Sequence, residues 1–202
     1  MHEGNTIEKG SPMLSFKDRL DKVIDRLISR ELLSNEGLGN EIGFYIFDYP
    51  PEFELEVRDH IQFIIRQLPK KKPNLNFVHI NLFQLICKYL KNRKLLDRAL
   101  EIQQQKGDLA LLKALKGPLD AKRIAGAFIE EAKPDENNLV LVSGVGNAYP
   151  LLRSHNLLNN LHSLMGDTPL VMFYPGIYTG QGLRLFGKLK ETNYYRAFQL
   201  VV

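Results

Sequence analysis

The sequence predicts an α/β fold: a mainly parallel sheet of about five strands flanked by helices, with a helical insertion between the second and third strands. Three observations carry this. Apolar runs at 42–47, 76–82, 139–142 and 170–174 are only four to seven residues long and rich in β-branched and aromatic side chains. They are apolar almost throughout, as strands covered on both faces are. The segments between them place apolar residues three and four apart, which is the helical period. Strands separated by helices are joined by crossovers, and crossovers make parallel neighbours.

The first helix starts at Ser15, where Ser15 and Asp18 form a near capping box. Phe16, Leu20, Val23, Ile24, Leu27 and Ile28 supply its apolar stripe, and Gly37 and Gly39 stop it. The first strand ends at Asp48-Tyr-Pro-Pro51, because proline cannot continue a ladder. The next helix draws on Leu55, Val57, Ile61, Phe63, Ile64, Ile65 and Leu68, and closes at Pro69 and Pro73. After the second strand, residues 83–133 are almost all helical in pattern. Stripes at Leu85, Ile86, Tyr89 and Leu90, at Leu95 to Ile102, at Leu109 to Leu115 and at Ile124 to Ile129 exceed what one crossover needs, so two or three helices are inserted here. Between the third and fourth strands, Leu157, Leu158, Leu161 and Leu164 form an amphipathic helix with Ser154 as its N-cap. Residues 195–202 read as a last strand closing one edge. Residues 1–13 read as a flexible leader and 14–202 as a single α/β domain, with the insertion at about 83–133.

Hydrophobic residues make up 44% of the 202-residue chain and charged residues 25%, ordinary for a soluble globular protein. No apolar run approaches the roughly 18 residues that suggest a membrane span. The N-terminus lacks the apolar core of a signal peptide, and the one cysteine, Cys87, excludes an intrachain disulfide framework. A cytoplasmic location is expected. The charge is unevenly placed. Residues 1–69 hold 8 basic and 13 acidic side chains, residues 70–123 hold 13 and 4, and residues 124–202 hold 6 and 6. The basic middle reads either as a solvated helical face or as a surface for an acidic partner, protein or nucleic acid.

Catalytic signatures are absent. A phosphate loop needs glycines whose amides surround the phosphates, and a hydroxyl for magnesium. The first strand is followed instead by two prolines and Glu52, Glu54 and Glu56. The partial match from Gly182 to Lys188 ends at Leu189, without the hydroxyl. Ser143-Gly-Val-Gly-Asn147 lacks the third glycine of a dinucleotide fingerprint and reads as a tight strand-to-helix turn; it lies at a strand end, and Tyr174 to Gly176 lie at another. The five histidines show no zinc spacing, so no metal and no cofactor are expected. Ser143 is outside a Gly-x-Ser-x-Gly elbow. His79 reads as a hydrogen-bonded core residue, and Asp48 as a strand-end acid or a turn cap. Arg153, His155 and Asn156, with Asn159 and Asn160, form the densest polar group, fit to meet a partner or to support the helix start. Lys70, Lys71 and Lys72 form a compact cluster on a proline-bounded loop and are the second candidate partner-binding group.

Four stretches resemble one family. They are Gly37-Leu-Gly-Asn-Glu-Ile-Gly-Phe-Tyr-Ile-Phe-Asp-Tyr-Pro-Pro51, Leu152-Arg-Ser-His-Asn-Leu-Leu-Asn-Asn-Leu161, Thr168-Pro-Leu-Val-Met-Phe-Tyr-Pro-Gly176, and Leu183-Arg-Leu-Phe-Gly187 with Asn193-Tyr-Tyr-Arg-Ala-Phe198. In this order they are similar to the BrxB family of bacterial BREX phage-exclusion systems, over about 14–202. The resemblance implies a part in antiviral defence, beside a DNA methyltransferase, a large ATPase and a PglZ-type protein. It carries over no catalytic residue. The expected function is a non-catalytic adaptor that mediates protein assembly, with the PglZ-type protein as partner. The alternative is a nucleic-acid-binding subunit that uses the basic insertion. Phe77, Phe83 and Tyr89 read as core, not as stacking platforms, so weak and non-specific DNA binding is the most expected of it.

Overall fold

The computed structural model describes residues 15–34, 43–190 and 197–202. The expected leader, the stop at Gly37 and Gly39, and the strand ends at Ile42 and Tyr195 lie outside these residues.

Five parallel strands form the sheet: β1 (Phe44–Tyr49), β2 (Phe77–Asn81), β3 (Leu139–Ser143), β4 (Leu170–Tyr178) and β7 (Phe198–Gln199). Their order is β2-β3-β4-β1-β7. The first crossover, through α4 (Glu54–Lys71), therefore passes over two strand positions, and the chain then steps back toward β1. Right-handed crossovers running in opposite directions put their helices on opposite faces. On one face α4, with α1 (Phe16–Asp21) and α2 (Val23–Leu27), covers Tyr45, Phe47, Leu141 and Phe173. On the other, α5 (Leu82–Asn92), α7 (Ala121–Ala132) and α9 (Ser154–Leu161) cover Phe44, Ile46, Val142 and Met172. Successive side chains alternate between the faces, which is why each central strand is apolar at nearly every position.

The capping box at Ser15 is complete: the Asp18 amide donates to Ser15 Oγ, and the Ser15 amide donates to the Asp18 carboxylate. The helix it starts is broken into α1, α2 and α3 (Arg30–Leu33). Strand β1 runs on through Asp48 to Tyr49. Asp48 is not a turn cap. Its carboxylate accepts from Arg19 Nη2 at 2.7 Å, the Tyr178 amide at 3.0 Å and Gln199 Nε2 at 3.2 Å, tying α1, β4 and β7 to β1. Helix α4 does not close at Pro69. That proline lacks the N–H an interior position would use, yet the turn continues to Lys71, and the Lys72 amide still reaches the Leu68 carbonyl at 2.8 Å. Lys70 and Lys71 accordingly stand in the last helical turn and not on a loop.

The insertion is three helices, α5, α6 (Leu96–Leu115) and α7. Helices α5 and α7 pack on the sheet. Helix α6 lies outside them, buries only Ala99 and Leu115, and is broken at Gly107, where φ is +78°. After β3, Gly144 at φ +73° turns the chain into the single turn α8 (Val145–Ala148). Helix α9 begins at Ser154 itself and not after it: Ser154 is buried in the first turn, and Arg153 stands at the N-cap position without a side-chain bond.

Tyr174 to Gly176 are not a strand end. Strand β3 pairs with β4 only as far as Met172, and β5 (Leu183–Leu185) then takes over that edge antiparallel, with β6 (Leu189–Lys190) completing a hairpin. Strand β7 is two residues long, much shorter than the eight expected.

Candidate functional site

The candidate residues divide by end and by face. In a parallel sheet the helices that follow strands start at the C-terminal edge. Arg153 and Asn156, at the start of α9, lie at that edge, and Lys70 to Lys72, at the end of α4, lie at the opposite one. The structure does not bring the two groups together. Lys71 Nζ is 3.1 Å from the Asp25 carboxylate, and Lys72 Nζ donates to the Ile28 carbonyl at 3.1 Å, so two of the three lysines already have partners on or beside α2.

Arg153 and Asn156 are exposed, and they line a groove of about 900 Å³ between the end of α6 and α9. Lys113, Lys116 and Lys122 stand across from them, all exposed. The lining holds one carboxylate, Asp120, which accepts the Lys122 amide at 3.0 Å as the cap of α7. Leu112, Leu115 and Leu119 give the groove an apolar wall, and Asn159 and Asn160 add amide groups. Lys122 also lines a second cavity, of about 610 Å³, between α5 and α7. That cavity adds Arg93 and Arg123, with Lys88 paired to Glu131 at 2.7 Å. Arg93 lies over the Tyr89 ring at 4.7 Å, and Tyr89 itself is buried. The two cavities meet at Lys122, near the N-terminal end of α7; the second is of mixed charge, since Glu130 and Glu131 also line it. His155 lines neither. It is 7% exposed, because it falls on the buried face of α9 with Ser154, Leu157, Leu158 and Leu161.

A second, smaller site lies on the other face, under the N-terminal half of α4 at the strand ends. Register pairs β2 with β3 residue for residue, His79 with Leu141 and Asn81 with Ser143. This makes His79 and Ser143 diagonal neighbours on one face of the sheet, and the His79 Nε2 to Ser143 Oγ distance is 2.8 Å. His79 is hydrogen-bonded, as its place in an apolar strand implied, but its partner is the serine of the glycine-rich turn. Burial lowers the pKa of His79 below that of free imidazole, which keeps the ring neutral near pH 7. A cleft of about 180 Å³ opens onto the pair, with Tyr49, Glu54 and Arg58 on its far wall. Tyr49 donates to the Glu54 carboxylate at 2.6 Å, and burial together with that contact raises its pKa.

Sequence reasoning named neither this pair nor Lys113, Lys116, Lys122 and Arg123. The excess of 13 basic over 4 acidic side chains in 70–123 was the signal for the groove, but its focus depends on how α6 folds back. The Ser143–His79 contact depends on strand register, which spacing alone does not give. Among the described residues, no group of three or more His, Cys, Asp or Glu is placed to hold a metal, and no helix is long and apolar enough to cross a membrane.

Comparison with known proteins bears on the chain as a whole. No solved structure matches it. The sequence profile of the family described as BREX protein BrxB matches residues 78–200. A protein of that name from Bacillus cereus (strain H3081.97) is 38% identical over 193 residues, covering 94% of this chain and 99% of the relative. Another from Escherichia coli O9:H4 (strain HS) is 41% identical over 190 residues, covering 94% and 92%. Likeness at this level along both chains, together with the profile match, shows that this chain belongs to the BrxB family of BREX proteins.

Proposed function

We propose that this chain is an assembly subunit of a BREX antiviral defence complex, and that it works at the basic groove by contact and not by chemistry. The occupant is an acidic surface of another BREX protein, the PglZ-type component. One observation carries the reading: Lys113, Lys116, Lys122 and Arg153 line one groove whose single carboxylate is already used as a helix cap. Four exposed cations against one carboxylate leave the groove net positive, which attracts an acidic partner and sets its orientation more than it adds affinity. The leucine wall beside them supplies apolar area that a carboxylate-bearing helix or loop can cover.

The same charges suit a phosphate backbone, but the lining of the larger cavity has no aromatic side chain, and Tyr89 in the smaller one is buried beneath Arg93. Single-strand binding relies on such rings for stacking. The test is co-purification of a tagged full-length chain with its operon neighbours, with and without nuclease. The PglZ-type protein should remain bound after nuclease treatment. Release by nuclease would transfer the groove to nucleic acid.

A further inference from the structure

We propose that Ser143 and His79 form a nucleophile–base pair, and that the cleft under α4 is a site of acyl transfer acting on an ester of a small acyl group. This goes beyond the groove reading, and it concerns the opposite face of the sheet.

The geometry is built from the backbone upward. Ser143 ends β3, and its Oγ lies 2.8 Å from His79 Nε2 on the adjoining strand, inside hydrogen-bond reach of a base. Asn81 stands beside them. Its Oδ1 accepts from the Phe83 and Gln84 amides, both at 3.1 Å, as the cap of α5. That fixes the amide plane and turns Nδ2 toward Ser143 Oγ, at 3.5 Å. Gly144 makes room for this arrangement: a Cβ there would lie 2.4 Å from Asn81 Oδ1, and the residue sits at φ +73°. A nucleophile, a base and an oriented amide donor therefore converge where the cleft meets the carboxyl ends of β2 and β3. This is the edge where α/β sheets place their chemistry. The cleft, about 180 Å³, limits the acyl portion to a few heavy atoms.

In the reaction, Ser143 Oγ gives its proton to His79 Nε2 and bonds to the carbonyl carbon. The carbonyl electron pair moves onto its oxygen, where Asn81 Nδ2 donates. On collapse the C–O bond to the alcohol breaks, and the alcohol takes the proton from His79. Water from solvent, deprotonated by His79, then releases the acid and restores Ser143.

The experiment treats the purified full-length chain with a small dialkyl fluorophosphate, reads the product by intact mass, and maps it by peptide mass spectrometry. The Ser143 oxygen replaces fluoride on phosphorus, and the proton leaves through His79. One adduct per chain on Ser143 is expected, absent in Ser143→Ala. His79→Gln, which keeps a side chain able to bond Ser143, should slow labelling about 100-fold, the usual size of general-base assistance. A cooperative melt of each variant shows that it is folded. An unmodified wild-type chain, an adduct on another residue, or equal labelling rates in wild type and His79→Gln overturns the proposal.

Discussion

At the scale of single residues, Asp48 and His155 are where local chemistry decides the most. Asp48 gathers a guanidinium, a backbone amide and a side-chain amide from three separate elements, and both it and Arg19 are mostly buried. Removing one partner of such a pair leaves the other charge without compensation. Asp48→Ala should therefore cost about 3 kcal/mol in a urea melt. His155 and Arg153, two residues apart, should separate cleanly. His155→Ala truncates a core side chain and should cost about 2 kcal/mol, whereas Arg153→Ala should stay within about 0.5 kcal/mol. An unchanged melt for His155→Ala would return that residue to the surface. The pH response follows from two histidines. Burial lowers the pKa of both His60 and His79 in the folded chain. The unfolded state then binds protons more readily, so their contribution to stability is present above the unfolded histidine pKa and is lost as pH falls through the lower folded values. Melts from pH 7 downward should show stability falling, and less steeply in His79→Gln. A rise in stability over that range would contradict the assignment.

At the scale of elements, what the sequence made legible is what the pleat and the helical period encode. Three of the four runs, β1, β3 and β4, became central strands because each must be apolar toward both layers, while β2 lies at the edge and is mostly half-buried. The three inserted helices were legible as stripes, and Ser15 as a cap. The hairpin β5–β6 was not, since its strands are three and two residues long, too short for alternation to register. The extension of β4 was hidden by Pro175 and Gly176, which punctuate a sequence but here have particular uses. The Pro175 carbonyl accepts the Phe186 amide at 2.8 Å, and Gly176 lets the β5 backbone come close. A Cβ on Gly176 would lie 2.2 Å from the Arg184 carbonyl oxygen, a backbone atom that cannot rotate away. Gly176→Ala should cost about 1–3 kcal/mol and loosen the hairpin, visible as faster amide exchange at Phe186, whose N–H bonds the Pro175 carbonyl. Unchanged exchange would mean that the hairpin has slack that the structure does not show.

At the scale of the whole molecule, the two faces of the sheet carry different resources. The α4 face has the small polar cleft, and the α7–α9 face has the broad basic groove. Charge counting singled out 70–123 and, within it, Lys70 to Lys72, which fold to the far end, where Lys71 and Lys72 bind Asp25 and the Ile28 carbonyl on or beside α2. Arg153 and Asn156 stand out in the sequence because polar side chains crowd a leucine-rich stretch, and folding brings them into one groove with lysines more than thirty residues away in the chain. The central claim is that this groove, and not the lysine cluster, holds an acidic BREX partner. The most direct measurement compares two charge reversals of equal size in a pull-down of the PglZ-type protein at physiological salt: Lys113, Lys116 and Lys122 to glutamate, and Lys70, Lys71 and Lys72 to glutamate. The account predicts that the groove reversal lowers recovery at least tenfold with little change in melting, since exposed charges add little to stability, and that the other reversal retains the partner. Equal recovery from the groove variant and the unaltered chain would contradict it.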